Sequence, residues 1–494
     1  MNGELKIQLL DEPELEFGRR GRHVDIRFGI SAHGPVSVED PHAPKEIKVG
    51  LVGSGESINK LVAWMEGCRE YIPAKESKKP NLFPSFPGFQ QDRCFFCGWA
   101  SSDKLQRKIP LREIKELLDN HNRNESVKKI TERFIGECQH LIENTNVDVL
   151  VCAPPLELFE KFDIPLGAET AEGDGGAAEE EAKEEAEEVS YKIDFHDYLK
   201  ARSLNLRTPI QLVRPPTYDS TVKLVRSTGN PRSLQDPATK AWNFHTALYY
   251  KAKGIPWRLL RRTSELDSAY VGISFYLSPD KEQIHTSVAQ IFNERGEGMV
   301  VRGGEAKRNK EDRQVHLGQD AMRELVNNVL SRYKQHHGNL PARIVIHKTS
   351  SFNNEERDGC KEALRAFGVD RHDFMVIADS FIRLYRFGEY PPLRGTFWEL
   401  GREHWFLYTR GSVDFYMAYP GLYVPKSVEI RPVEVDESPR KLAEEILALT
   451  KMNWNNTQFD NGLPITIKAA RQVGGILKHA IDMPRVEASY AYYM

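Results

Sequence analysis

Four side chains in the middle of this 494-residue chain, His196, Lys200, Gln211 and Lys251, supply the donors that a terminal phosphate needs. An imidazole and two ammonium groups can each give charge-assisted hydrogen bonds of roughly 1.5–3 kcal/mol, and an amide adds a neutral donor. The stretch FHDYLKARSLNLRTPIQLV reads as one helix followed by one strand. Positions i and i+4 share a helix face, so His196 and Lys200 point the same way. Gln211 lies in the strand that follows, and Lys251 ends the helical run LQDPATKAWNFHTALYYK. An HxxxK pair alone also describes an ordinary solvated helix face, so the pattern by itself leaves that reading open.

The elements that must carry these residues are α/β. From Glu46 the chain reads EIKVGLVG as a buried strand, SINKLVAWMEGCREYI as a helix, IKELLDNHNRNESVKKITERFIGECQHLIENT as one or two helices, and DVLVCAPP as another buried strand. This is a Rossmann-like layout over residues 46–263, preceded by residues 1–45, where LKIQLL and HVDIRFGISA read as strands of an N-terminal extension. Residues 167–189 form an Ala/Glu/Gly-rich insertion expected to be a solvated surface segment. From Glu169 to Glu188 ten acidic residues face the single Lys183, a local charge of −9 within a net of −3, so the rest of the chain carries +6. That basic balance suits a nucleic-acid binder, although it is also common in proteins that bind none. Residues 264–494 alternate further strands (AYVGISFYL, HTSVAQIFN, GMVVRG, ARIVIHKT, FMVIAD, WFLYTRG, VDFYMAYP, YVPKSVEIRP) with helices, as an RNase H-like sheet does. There is no signal-peptide pattern and no run of about 18 apolar residues, so a cytoplasmic protein without membrane attachment is expected. Six scattered cysteines, including the single CxxC of Cys94 and Cys97, argue against a disulfide framework and read as structural thiols.

The order HDYLKA, PIQLV, WNFHTALYYKAKGIPW, AYVGISFYLS, ARIVIHKTS and MNWNNTQFDNGLPITIKAARQ resembles the MID and PIWI domains of a short prokaryotic Argonaute. The resemblance covers the chain after residue 45 and implies a Rossmann-like MID domain followed by an RNase H-like PIWI domain. It implies that His196, Lys200, Gln211 and Lys251 bind the 5′ phosphate of a guide strand. Arg207, Arg214, Lys223 and Arg226 flank that pocket and are candidates for further backbone contacts, which would position a strand without reading its bases. The resemblance assigns the C-terminal carboxylate of Met494 to a Mg²⁺ beside the guide phosphate. It further implies a guide RNA, a target DNA and a separate APAZ-containing effector with a TIR, sirtuin-like or nuclease domain, acting in antiviral or antiplasmid defence, with a higher oligomer on activation as an option.

Cleavage by two metal ions needs several carboxylates on facing elements. Where cleaving Argonautes carry their acidic and histidine ligands, this sequence has Ser274, Thr349 and Arg471. Hydroxyls do not replace carboxylates, and a guanidinium repels a cation. A glutamate finger at Glu305 or Glu311 would not hold two ions alone, so the expectation is a recognition protein without nuclease activity of its own. The alternative is an active guide-dependent endonuclease with an atypical metal site. A third reading, nucleotide binding at GLVGSGES, is opposed by Glu56, which stands where a phosphate-binding loop needs lysine. A tight strand-to-helix turn capped by Ser57 explains that stretch.

Overall fold

The computed structural model describes residues 6–162, 191–222, 235–260, 267–292, 298–387, 391–419, 424–458, 462–483 and 489–494. The acidic insertion at 167–189 therefore lies outside the described residues, as do Lys223 and Arg226.

In the first half the strand Glu46–Gly53 runs down the middle of an all-parallel sheet. It pairs with Gly98–Ala100 and Gln106–Lys108 on one side and with Val149–Ala153 on the other, and Val149–Ala153 pairs in turn with Ile210–Leu212. Continuous burial of VLVCA follows from helices on both faces. The stretch from Ile114 to Thr145 divides into two helices, Leu111–Leu118 and Arg123–Asn144, with Asn122 capping the second. The helix Gly55–Gly67 is capped by Ser54, whose Oγ accepts from the Ser57 amide, and not by Ser57 as the sequence suggested. The strand ends at Gly53 as the pattern implied, but the helix begins at Gly55, two residues before Ser57. Glu56 pairs with Lys60 at 2.7 Å, one turn along the same helix.

The second half is built on an eleven-stranded sheet. Its centre is three parallel strands, Ser268–Leu277, Arg343–Lys348 and Arg371–Asp379. Antiparallel Ile284–Phe292 flanks one side and Val428–Val435 the other. The helix Ile465–Leu477 packs on one face so closely that a Cβ on Gly272 would lie 2.0 Å from the Thr466 carbonyl oxygen. On another face the helices Gln319–His337 and Asn354–Phe367 cross at Gly359, where a Cβ would meet the Gln319 carbonyl oxygen at 2.3 Å. A buried ion cluster, Arg343 with Asp373 at 2.6 Å and Glu445 at 2.7 Å, ties two of the parallel strands to the helix Pro439–Leu449.

Two expected strands fold otherwise. HVDIRFGISA gives only His23 to the two-residue strand Arg22–His23 before the helix Ile26–His33, because Asp25 accepts from the Arg27 and Phe28 amides as an N-cap. Gly29 lets that helix lie against the Phe17 ring, 2.2 Å from where its Cβ would stand. In VDFYMAYP the described residues make the 3-10 turn Asp414–Tyr416, with the Tyr416 hydroxyl donating to the Asp25 carboxylate. LKIQLL does supply a strand, Ile7–Leu9, but it extends the far edge of the large sheet by pairing with Thr396–Leu400. Glu12 anchors it there through Arg394 at 2.9 Å and Lys451 at 2.7 Å. All six cysteines are buried and free, and burial pushes the Cys97 thiol up to about 12. Among the described residues no helix is long and apolar enough to cross a membrane.

Candidate functional site

Asp194 caps the helix Phe195–Ser203 through the Asp197 amide and so fixes the direction in which Lys200 projects. Lys200 is 1% exposed, and its Nζ donates to the carbonyl oxygen of Ile210 and to the main-chain oxygen of Met494. Gln211, the next residue in the strand Ile210–Leu212, has only a 3.5 Å contact from its Nε2 to the Leu212 carbonyl, and its buried Oε1 has no hydrogen-bond partner among the described residues. Lys251 ends the helix Pro237–Lys251, is 2% exposed, and its Nζ is likewise buried with no such partner.

The electrostatics follow from this arrangement. Burial pulls Lys200 down to about 7, while the charge of Asp197 favours the ammonium. Burial lowers Lys251 well below the ordinary lysine range, and the neighbouring Lys200 charge lowers it further. Lys200 and Lys251 are thus close enough for their charges to disfavour one another, beside the unpartnered amide oxygen of Gln211. His196 stands one turn before Lys200, half-buried, with Nδ1 2.9 Å from Asp197 Oδ1. Asp194, His196 and Asp197 bring their ligand atoms within 4.8 Å of one another, the single such group among the described residues. Burial would raise the Asp197 carboxyl, yet the His196 hydrogen bond and the His196, Lys478 and His479 charges hold it below the usual carboxylate range.

The structure thus gathers Lys200, Gln211, Lys251 and Met494, and sets His196 beside them with its ring turned to an aspartate. Sequence reasoning named all five but missed Asp197 as the partner of His196 and the Ile210 carbonyl as that of Lys200. The DxxD spacing of Asp194 and Asp197 was the available signal for the first. Arg207 is exposed, with φ +55° in the loop between helix and strand, and Arg214 is half-buried at the N-cap of the short helix Pro215–Tyr218. Met494 arrives through the 3-10 turn Tyr490–Tyr492, where Tyr490 and Tyr493 are buried and the Tyr490 hydroxyl lies 3.3 Å from Gln472 Oε1. Residues of the second half therefore reach Lys200 in the first, through the main-chain oxygen of Met494.

A second region lies at the carboxyl ends of the parallel strands. Ile273 is in register with Lys348, which sets Ser274 and Thr349 at adjacent positions on neighbouring strands. Ser274 is buried, and the Thr349 amide donates to the Ile273 carbonyl at 3.2 Å. Arg471 is half-buried on the helix that packs over Gly272. Immediately before Thr349, Lys348 and Glu356 form a fully buried pair at 2.8 Å. Glu305 and Glu311 are exposed.

No protein-family model and no curated protein matches this chain. Solved structures do. The chain aligns over 96% of its length with the Clostridium butyricum Argonaute bound to a guide DNA and a 19-mer target DNA, at 16% identity and a TM-score of 0.61. It aligns over 99% with Drosophila Piwi at 11% identity and a TM-score of 0.58, and over 98% with the A. aeolicus Argonaute at 13% and 0.55. The fold is Argonaute-like. The first half corresponds to a MID-like and the second to a PIWI-like domain. This Argonaute-like chain spans about half the length of the structures it matches, 53% of the Clostridium protein and 56% of Piwi.

Proposed function

We propose that this chain holds the 5′-phosphorylated end of a short guide strand, a guide RNA, and uses base pairing to find a complementary single-stranded target DNA. The observation that carries this reading is the Lys251 ammonium, buried beside Lys200 with no hydrogen-bond partner among the described residues. Burial and the Lys200 charge disfavour the charged form of Lys251, and a phosphate bound beside it supplies both the opposite charge that restores the ammonium and the acceptors its Nζ lacks. Lys200 and Lys251 bind the phosphate oxygens, Gln211 orients them through its amide, and His196 adds a further donor from the same helix face. Arg207 and Arg214 meet the following phosphates, a role proposed also for Lys223 and Arg226.

A Mg²⁺ fits this wall, because it takes oxygen ligands, and the Met494 main-chain oxygen and the unpartnered Gln211 Oε1 are oxygen donors. Bound there it would offset phosphate charge. With Ser274, Thr349 and Arg471 where cleavage would need metal ligands, the chain recognises its target without cutting it, and an APAZ-containing effector of TIR, sirtuin-like or nuclease type supplies the enzymatic output in defence. The deciding binding experiment compares 5′-phosphorylated with 5′-hydroxyl guides: Lys251→Met abolishes the preference for phosphate, and equal losses for both guides refute the pocket. Incubating protein, guide, target and Mg²⁺ or Mn²⁺ is expected to leave the target intact. One defined cut would establish instead an active guide-dependent endonuclease with an atypical metal site.

A further inference from the structure

The segment that follows the strand Arg371–Asp379 carries the most exposed aromatic side chains of the described residues. Phe381 is 86% exposed, Tyr385 71% and Phe387 96%, within the run Phe381-Ile382-Arg383-Leu384-Tyr385-Arg386-Phe387. The backbone beneath them is pinned. The Ile382 amide donates to Ser380 Oγ at 3.0 Å, the Leu384 amide to the Tyr408 hydroxyl, and the Arg386 Nε to the Pro391 carbonyl at 3.2 Å. Leu384 turns inward onto a separate small cluster of Trp398, Phe406 and Tyr408, in which Trp398 and Phe406 stack at 5.1 Å. One apolar side chain is therefore half-buried as an anchor while three rings face water, forfeiting the gain that burial would give them.

The segment leaves the sheet at the end where Ser274 and Thr349 lie. Lys348 is in register with Val376, so Thr349 is level with Ile377, and Ser380 follows three residues on, about 10 Å along an extended strand. Ligands of parallel α/β sheets sit outside these carboxyl ends. Rings interleaved with guanidinium groups offer π-faces to bases and cations to phosphates, the combination that holds single-stranded nucleic acid without reading sequence.

We propose that Phe381, Tyr385 and Phe387, with Arg383 and Arg386, form a stacking platform for unpaired nucleotides of a single strand crossing the PIWI-like sheet. This deepens the guide and target reading of the preceding section and rests on it only for the identity of the strand. The interleaved arginines favour a nucleic acid over an apolar protein surface as the occupant.

The test uses the full chain and a 5′-hydroxyl oligothymidylate, which the phosphate pocket does not select. The combined variant Phe381→Ala, Tyr385→Ala, Phe387→Ala binds it at least about tenfold more weakly in fluorescence anisotropy, Phe387→Tyr alone keeps wild-type affinity, and Arg383→Gln reduces the salt dependence. The phosphate preference for guides stays unchanged in all of them. In the wild type a 2-aminopurine within the strand is quenched on binding, as stacking requires. Equal affinity of wild type and triple variant, an unquenched probe, or ring-dependent self-association with intact strand binding each overturns the platform. Should the wild type show no preference for phosphorylated guides while ring-dependent strand binding persists, the pocket falls and the platform stands.

Discussion

Lys200 and Lys251 differ in what they lack. Lys200 has two oxygen acceptors, whereas Lys251 has a buried Nζ and a like charge beside it. Replacing Lys251 by the apolar, similarly shaped methionine is therefore expected to raise the stability of the unliganded protein while abolishing phosphate preference. Lys200→Met strands two buried oxygens and lowers stability by about 1–3 kcal/mol. Thermal denaturation of both variants checks the opposite signs. A lysine whose folded pKa lies below its unfolded 10.5 leaves the unfolded chain with more bound protons between the two values. Stability of the unliganded protein accordingly rises with pH from about 7 to 10.5, and the cost of the buried charge is fully present below about 7. Guide binding runs the other way. Phosphate contact requires charged lysines, so affinity for phosphorylated guides falls as pH is raised from 7 to 9 and is greatest just above the second phosphate pKa of about 6. A pH-independent affinity ratio between phosphorylated and hydroxyl guides would contradict this.

Close approach decides the strength of the elements. Gly272 lets the helix Ile465–Leu477 touch the first PIWI-like strand, and that helix in turn supports the turn that delivers Met494. Gly272→Ala must push backbone away from backbone, and we expect a loss of about 1–3 kcal/mol by urea denaturation together with weaker binding of phosphorylated guides. Local pattern made much of this layer legible. The periodic runs around Lys200 and Lys251, and the buried strands VLVCA and ARIVIH, read correctly because their burial is dictated by neighbours close in sequence or by an all-apolar composition. HVDIRFGISA and VDFYMAYP misled for one shared reason. Alternating residues suit a strand, but Asp25 caps a helix and also accepts from Tyr416, 391 residues away, and such a long-range bond leaves no trace in either local pattern. The pairing of Lys200 with Met494, 294 residues apart, was accessible only by resemblance, and then as a metal ligand and not as a lysine acceptor.

For the whole molecule, charge separates the acidic insertion from the remainder. Ten acidic residues against one lysine between Glu169 and Glu188 make that segment self-repelling. Its excision is expected to leave the melting temperature within a degree or two, about the effect of an ordinary surface change, and an insoluble product would show that the segment is needed for folding. The strand Ile7–Leu9 has the opposite character. It joins Thr396–Leu400, and Glu12 beside it depends on Arg394 and Lys451. During synthesis the strand Ile7–Leu9 must wait unpaired until Thr396–Leu400 has been made, and Glu12 until Lys451 has. The MID-like sheet can close long before then, so the slow step of biogenesis falls on the final docking of Ile7–Leu9 onto the large sheet, where a chaperone that shields that strand would have the most to do.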